Sequence, residues 1–231
     1  MTDFSKFEEK IKITFSDKNL LKQAFVHRSY INENPQFGLP HNERLEFLGD
    51  AVLELVVPEE LYKKYPNQTE GELTSYRSAL VNAVIISEIA QALGMNDFLL
   101  LSKGETKDTG RARQYILANT FESFVGSLYL DQGYEKAKGF ITKNLLTRID
   151  DIVSNKLWQD AKSFVQEKAQ EHLGVTPNYK VLKETGPDHD KHFAIGIFFG
   201  EDLIAEGKGK SKQEGEQKAA QKALQVKKWL E

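Results

Sequence analysis

The 231-residue sequence contains no cysteine. Disulfide bonds, thiol nucleophiles and thiolate zinc sites are therefore excluded, and the composition suits a reducing compartment. The sequence also lacks an apolar run long enough to span a bilayer, and its start, MTDFSKFEEK, is too acidic and too polar for a secretory signal. We therefore expect a cytoplasmic protein with no membrane partner.

A strong excess of charge of one sign is missing as well, because 31 basic residues face 34 acidic ones and the formal net charge is -3. The total charge thus gives no indication of a nucleic-acid partner. With 40% hydrophobic and 28% charged residues, the composition is that of a globular protein, and the length suggests one or two domains. The distribution of charge along the chain is more informative than its sum.

The most informative segment is NERLEFLGDAVL, residues 42–53. Glu43, Glu46 and Asp50 are spaced three and four residues apart, so they share one face of a helix. The residues between them are mostly apolar, which predicts a helix that is buried on nearly all sides. Carboxylates aligned on a buried helix repel one another and lose hydration unless a cation lies among them. We therefore predict metal binding here, in preference to a solvated acidic face.

A second helix repeats this pattern. Residues 115–130 are hydrophobic on most sides, yet they include Asn119 and Glu122 at an i, i+3 spacing. These two oxygen-bearing side chains match what the first acidic helix offers, which predicts that both helices contribute to one site.

The rest of the first half also has helical periodicity and no convincing strand pattern. We predict two short helices within residues 4–27 with Ser16 as an N-cap, a hydrogen-bonded rather than catalytic His27, and an end or kink of the acidic helix at Pro58. Thr69 and Glu72 form a predicted capping box. Glu70, at the same helix start, is equally compatible with a site role and with a favourable helix-dipole position. The basic segment 102–113 is either a mobile loop or a phosphate contact.

The pattern changes after a predicted linker at residues 153–158. Asp160 is predicted to cap a helix, and strand-like runs follow at 179–184, 192–199 and 203–207. A last helix begins at Ser211, with Glu214 completing a second capping box. This order predicts an α-β-β-β-α domain with both helices on one face of an antiparallel sheet. Lysines crowd its last strand and helix, which favours phosphate binding over a merely solvated face: Lys208, Lys210, Lys212, Lys218, Lys222, Lys227 and Lys228.

With both halves considered, the chain resembles a bacterial ribonuclease III. NERLEFLGDAVL is similar to that family's signature, and TEGELTSYRSALVN and ILANTFESFVGSLYLD are similar to its next two blocks. Residues 160–226 resemble a double-stranded-RNA-binding domain. The resemblance implies an all-α endonuclease domain at 1–152 and a small α+β domain at 159–231. It also implies a homodimer that cuts double-stranded RNA to 5′-phosphate and 3′-hydroxyl ends with short 3′ overhangs, in rRNA-precursor and other RNA processing.

The same resemblance assigns residue roles. It implies catalytic roles for Asp50, Glu122, Glu43 and Glu70, and Mg²⁺ coordination, with Mn²⁺ able to substitute, by Glu46, Asn119, Glu122 and Asp50. For the RNA-binding domain it implies duplex contacts from the first helix, from the loop after the first strand and from the start of the last helix: Gln166, Glu167, Gln170, Pro187, His189, Lys210, Ser211 and Lys212.

Three residues depart from the family pattern. Asn119 replaces an aspartate that is common in the family, so we expect weaker metal binding rather than an absent site. Gln213 replaces a lysine, and Gly215 interrupts the last helix at a cost of about 1 kcal/mol. Two other functions remain open at this stage: a non-catalytic duplex binder with a site disabled at Asn119, and a structural helical domain whose acids form ion pairs.

Overall fold

The computed structural model describes residues 2–107, 109–156, 158, 160–187 and 191–229. The chain divides into two compact units, Met1–Trp158 and Gln159–Glu231. None of the described helices is long and apolar enough to cross a membrane.

The first unit is helical, as predicted. Two 22-residue helices, α4 and α7, pack against each other at its centre. Aromatic side chains fill the core beside them; the Phe124 ring of α7 lies 5.5 Å from Phe7 and 4.9 Å from Phe140. The helices are α1 Ser5–Ile11, α2 Lys18–Ala24, α3 Arg28–Glu33, α4 Glu43–Lys64, α5 Glu70–Leu80, α6 Ala83–Ala92, α7 Arg111–Gln132, α8 Tyr134–Asn144 and α9 Ile149–Ser154.

Local capping signals in this unit are partly as predicted. The capping box of Thr69 and Glu72 at the start of α5 is present in full. The predicted cap of α2 is wrong by one residue, because the carboxylate of Asp17, not Ser16, accepts the backbone N–H of Asn19. His27 is hydrogen-bonded, as expected, but it begins the unpredicted helix α3, where its Nδ1 lies 2.8 Å from Ser29 Oγ.

Two helix limits differ from those expected. Of the end or kink predicted at Pro58, the end is wrong, because α4 continues to Lys64. The proline removes only one intrahelical hydrogen bond, to Glu54, and the buried side chains of Val57 and Leu61 keep the last turns on the core. α7 begins at Arg111, four residues before the predicted start at 115.

The predicted burial of α4 on nearly all sides is also wrong. Phe47 is 80% exposed and Leu55 is 59% exposed, and Ala51 between them is exposed as well. These side chains follow one another at intervals of four residues, so α4 presents an apolar stripe to solvent on one face while its other face joins the core. The last residue of the first unit, Trp158, packs on α5, where its ring lies 4.9 Å from that of Tyr76.

The second unit has the predicted α-β-β-β-α order. Its antiparallel sheet has the order β1-β2-β3, and α10 and α11 both pack on one face of it around Ile197 and Phe199. The elements are α10 Ala161–Leu173, β1 Asn178–Thr185, β2 His192–Phe199, β3 Asp202–Gly209 and α11 Lys212–Val226. Asp160 caps α10 as predicted.

Glycines bring α11 close to the sheet. A Cβ at Gly207 of β3 would lie 2.1 Å from the carbonyl oxygen of Gly215, and a Cβ at Gly215 would lie 2.5 Å from Ile195 Cγ1. Gly215, which the sequence marks only as a weak helix residue, therefore allows the helix backbone to pack directly on the strand.

Candidate active site

The acidic site is built where α4 and α7 cross in backbone contact. A Cβ at Gly49 would lie 1.7 Å from the carbonyl oxygen of Glu122, and a Cβ at Gly126 would lie 2.2 Å from the carbonyl oxygen of Leu45. No side chain other than hydrogen fits at either position. The close crossing brings the acidic face of α4 against the polar residues of α7, and the sequence analysis did not identify either glycine.

Glu46 and Glu122 approach each other from the two helices. Burial, followed by repulsion from Asp50 and Glu46, raises the pKa of Glu122 to about 7. Burial and the charges of Glu43 and Asp50 also raise the pKa of Glu46, and the nearby amide of the Asn119 side chain partly offsets that rise. The four residues predicted to bind metal therefore form one electrostatically coupled group: Glu46, Asp50, Asn119 and Glu122.

The charge of this group is not balanced by basic side chains. Within the described ranges, no lysine, arginine or histidine forms an ion pair with Glu46, Asp50 or Glu122. Glu43 differs, because Arg28 lies 3.5 Å and His41 Nδ1 lies 3.7 Å from its carboxylate oxygens, and its side chain is 46% exposed. An ion-pair scaffold thus accounts for Glu43 but not for the other three acids.

Glu70 lies elsewhere in the unit. At the start of α5 it lines an open groove of about 430 Å³ beside the C-terminal half of α4, together with Pro58, Tyr62 and Leu73. Pro58 is eight residues beyond Asp50, roughly 12 Å along the helix axis. Within one chain the structure does not bring Glu70 into the group of Glu46 and Glu122.

The acidic group offers donors that suit a hard cation, although it is not a closed cage. No three His, Asp or Glu side chains among the described residues are gathered closely enough to hold an ion by themselves. Mg²⁺ commonly binds through one or two carboxylates and keeps several waters or substrate phosphates. Two carboxylates with raised pKa values, an amide oxygen and an exposed carboxylate at the rim fit such an ion.

The predicted RNA contacts of the second unit lie on its surface. Gln166, Glu167 and Gln170 are exposed and line a shallow groove along α10. Pro187 is exposed just after β1. His189 lies outside the described residues.

At the start of α11, Lys210, Ser211 and Lys212 are exposed. Ser211 Oγ caps the helix by accepting the backbone N–H of Glu214 at 3.1 Å. The predicted second capping box is wrong, because the Glu214 carboxylate accepts the N–H of Lys210, at 2.8 Å, and not that of Ser211.

Comparison with known proteins agrees with both units. Residues 17–149 match a family model described as "Ribonuclease-III-like", and residues 161–227 match a "Double-stranded RNA binding motif". The chain is 43% identical to "Ribonuclease 3" of Borreliella burgdorferi, over 97% of this chain and 91% of that protein. It is 41% identical to "Ribonuclease 3" of Nitratiruptor sp., over 98% and 97%.

A solved structure is similar as well. The nuclease domain of ribonuclease III from Campylobacter jejuni is 38% identical, with a TM-score of 0.57, and the match covers 64% of this chain and 97% of that one. The helical unit, its acidic group and these matches lead to one conclusion: the chain belongs to the ribonuclease III family of endoribonucleases.

Proposed function

We propose that this protein is a Mg²⁺-dependent endoribonuclease that cleaves double-stranded RNA. The observation that supports the proposal is the crossing of α4 and α7, across which the charges of Glu46 and Glu122 interact without a basic partner among the described residues. A half-buried carboxyl with a pKa of about 7 is partly protonated near neutral pH, and a bound cation would stabilise its charged form.

A divalent ion at this site would activate water for attack on a phosphodiester and stabilise the charge of the leaving oxygen. Glu46, Glu122 and the amide oxygen of Asn119 would hold the ion from the two helices. Asp50, which is exposed at the rim, would coordinate or orient water there. Mn²⁺ has similar oxygen preferences and would substitute for Mg²⁺.

Glu43 has a different role in this proposal. Its carboxylate lies near Arg28 and His41, and its charge contributes to the raised pKa of Glu46. Glu43 would therefore position α3 and the start of α4, and its charge would favour cation binding at the neighbouring acids. The direct contacts to the cation would come from those other acids.

The second unit would bind the duplex through its surface residues. Gln166, Glu167 and Gln170 of α10 would contact one minor groove, and the segment that follows β1, with Pro187 and His189 in its sequence, would contact the next one. Lys210, Ser211 and Lys212 lie at the start of α11, where free backbone N–H groups and the helix dipole favour phosphate.

A homodimer would explain the exposed apolar stripe of α4. The stripe leads from Phe47 past Leu55 to Tyr62, which is 74% exposed, and ends at the groove lined by Glu70. A second copy related by a twofold axis would cover the same stripe on both chains. Glu70 would then lie at the subunit interface, and its predicted catalytic role depends on the second chain.

In the cell, we propose a cytoplasmic role in processing rRNA precursors and other structured RNAs. Cleavage would leave 5′-phosphate and 3′-hydroxyl ends with short 3′ overhangs. The direct test incubates a long, end-labelled RNA duplex with the purified protein in Mg²⁺ or in chelator. Short duplex products that appear only with Mg²⁺ are expected; an intact but shifted duplex in both conditions would instead indicate a non-catalytic binder.

A further inference from the structure

The face of α7 that carries Asn119 and Glu122 continues toward the start of the helix, beyond the candidate metal site. Arg111, Tyr115, Asn119 and Glu122 follow one another at spacings of four, four and three residues. At 100° per residue they lie within an arc of about 80° on one side of the helix. The two members closest to the start of α7, Arg111 and Tyr115, are therefore on the same surface as the acidic group, one to three turns away.

Arg111 and Tyr115 form an exposed pair. Tyr115 is 47% exposed. Arg111 Nη2 donates to the Tyr115 hydroxyl at 3.3 Å, and the guanidinium carbon lies 5.7 Å from the ring centroid. In the part of the chain that is described, no carboxylate pairs with Arg111, in contrast to Arg28, Arg77 and Arg148.

The neighbouring Arg113 is used differently. Its guanidinium donates to the carbonyl oxygen of Glu105 at 2.7 Å and to Asn96 Oδ1 at 3.2 Å, so it holds the preceding loop against the unit. Of these two nearby arginines, Arg113 has a structural role, whereas Arg111 is directed to the surface beside the site.

We infer that Arg111 and Tyr115 contact the RNA strand a few nucleotides from the bond that is cut, an inference that rests on the proposed function. A guanidinium binds phosphate oxygens through paired N–H donors. A tyrosine ring can pack on a ribose while its hydroxyl bonds a 2′-OH, the group by which duplex RNA is recognised across its minor groove.

The charge distribution explains why a basic residue would be needed beside the acidic group. The acidic group repels the phosphate backbone that it must receive, and Arg111 provides an attractive charge on the same face, about 16 Å away along the helix axis. The pair would thus fix the strand a few nucleotides from the acids. The competing view is an ordinary i, i+4 helix pair, which would have no effect on RNA.

The experiment compares the full-length protein with Arg111→Gln, Arg111→Lys, Tyr115→Ala and Tyr115→Phe. Lys136→Gln, an exposed lysine on α8, is the matched loss of one positive charge. Duplex-RNA affinity is measured in chelator over a range of salt concentrations, and kcat and KM for cleavage are measured in Mg²⁺. Thermal unfolding of each variant reports on folding.

Arg111→Gln should raise KM about tenfold, leave kcat nearly unchanged, and reduce the slope of log affinity against log salt by about one. Arg111→Lys should keep the slope, Tyr115→Ala should weaken binding about fivefold, and Tyr115→Phe should lie between that variant and the wild type. Slopes and KM values equal to those of Lys136→Gln would overturn the inference. If the wild type itself neither cuts nor binds the duplex, the proposed function fails instead.

Discussion

At the scale of single residues, Glu122 has the most perturbed environment in the acidic group. Burial and the charges of Asp50 and Glu46 raise its pKa from an ordinary 4.5 to about 7. The group therefore stabilises the folded protein when it is protonated. In the absence of metal, this contribution is complete below pH 4.5 and is lost as the pH rises through about 7.

This linkage predicts the behaviour of Glu122→Gln, which is neutral at every pH. In chelator, its free energy of unfolding relative to the wild type should increase as the pH rises from 5 to 8, while cleavage activity is lost. Urea denaturation at several pH values measures the difference. Parallel stability curves for the two proteins would contradict the account of Glu122.

Asn119 is the other informative residue. The nearby amide of its side chain partly offsets the pKa rise of Glu46, but it adds no charge of its own. An amide oxygen can coordinate a hard cation, yet a carboxylate attracts one more strongly.

The substitution Asn119→Asp should therefore lower the Mg²⁺ concentration required for half-maximal cleavage. The measurement is a Mg²⁺ titration of the initial cleavage rate on one duplex substrate. A requirement that is unchanged or higher would remove Asn119 from the metal ligands.

At the scale of elements, the position of the site depends on the crossing of α4 and α7. The carbonyl oxygens of Glu122 and Leu45 occupy the space that a Cβ at Gly49 or Gly126 would need. Because both obstacles are backbone atoms, a larger residue must separate the helices and, with them, the acids that they carry.

We expect Gly49→Ala to destabilise the protein by about 3 kcal/mol or more, at the upper end of the usual cost of overpacking, and to abolish cleavage. Gly139→Ala is the matched control, because nothing lies within 4 Å of a Cβ there and the residue is within α8. The control should gain about 0.5–1 kcal/mol. Denaturant unfolding of both variants tests this; equal stabilities would show that the crossing tolerates a methyl group.

Features that depend on local sequence could be predicted, whereas those that depend on packing between elements could not. The Thr69–Glu72 capping box and the Asp160 cap depend on residues within three positions of each other, so their signals are local. The acids on α4 and α7 were identified because charge in an apolar helix is unusual. The role of Gly49 was not, since it depends on which helix packs opposite.

The exposure of Phe47 was missed for a related reason. Helical periodicity distinguishes apolar from polar faces, but it does not distinguish an apolar face that meets the core from one that is left for another chain. The extra turn of α7 at Arg111 was hidden by its polar composition, which resembles that of the preceding loop.

At the scale of the whole molecule, the exposed stripe of α4 is the strongest indication of self-association. Phe47, Leu55 and Tyr62 are large, more than half exposed, and aligned on one face. Such a contiguous apolar surface is typical of an interface.

Phe47→Asp should convert a dimer to a monomer and strongly reduce cleavage, because the buried charge would oppose association at two symmetric positions. Sedimentation velocity measures the change, and Val84→Asp, at an apolar residue 51% exposed on α6, is the matched control. A wild-type protein that sediments as a monomer at all concentrations, or a Phe47→Asp variant that remains a dimer, would contradict this assignment.

The central claim is that carboxylates from α4 and α7 together bind one divalent cation, and calorimetric titration of metal into the protein tests it most directly. Mg²⁺ or Mn²⁺ should bind to the wild type near neutral pH with release of protons, because Glu122 is partly protonated at that pH in the free protein. Glu46→Gln on α4 and Glu122→Gln on α7 should each weaken that binding by at least tenfold. Undiminished binding in either variant would contradict the claim.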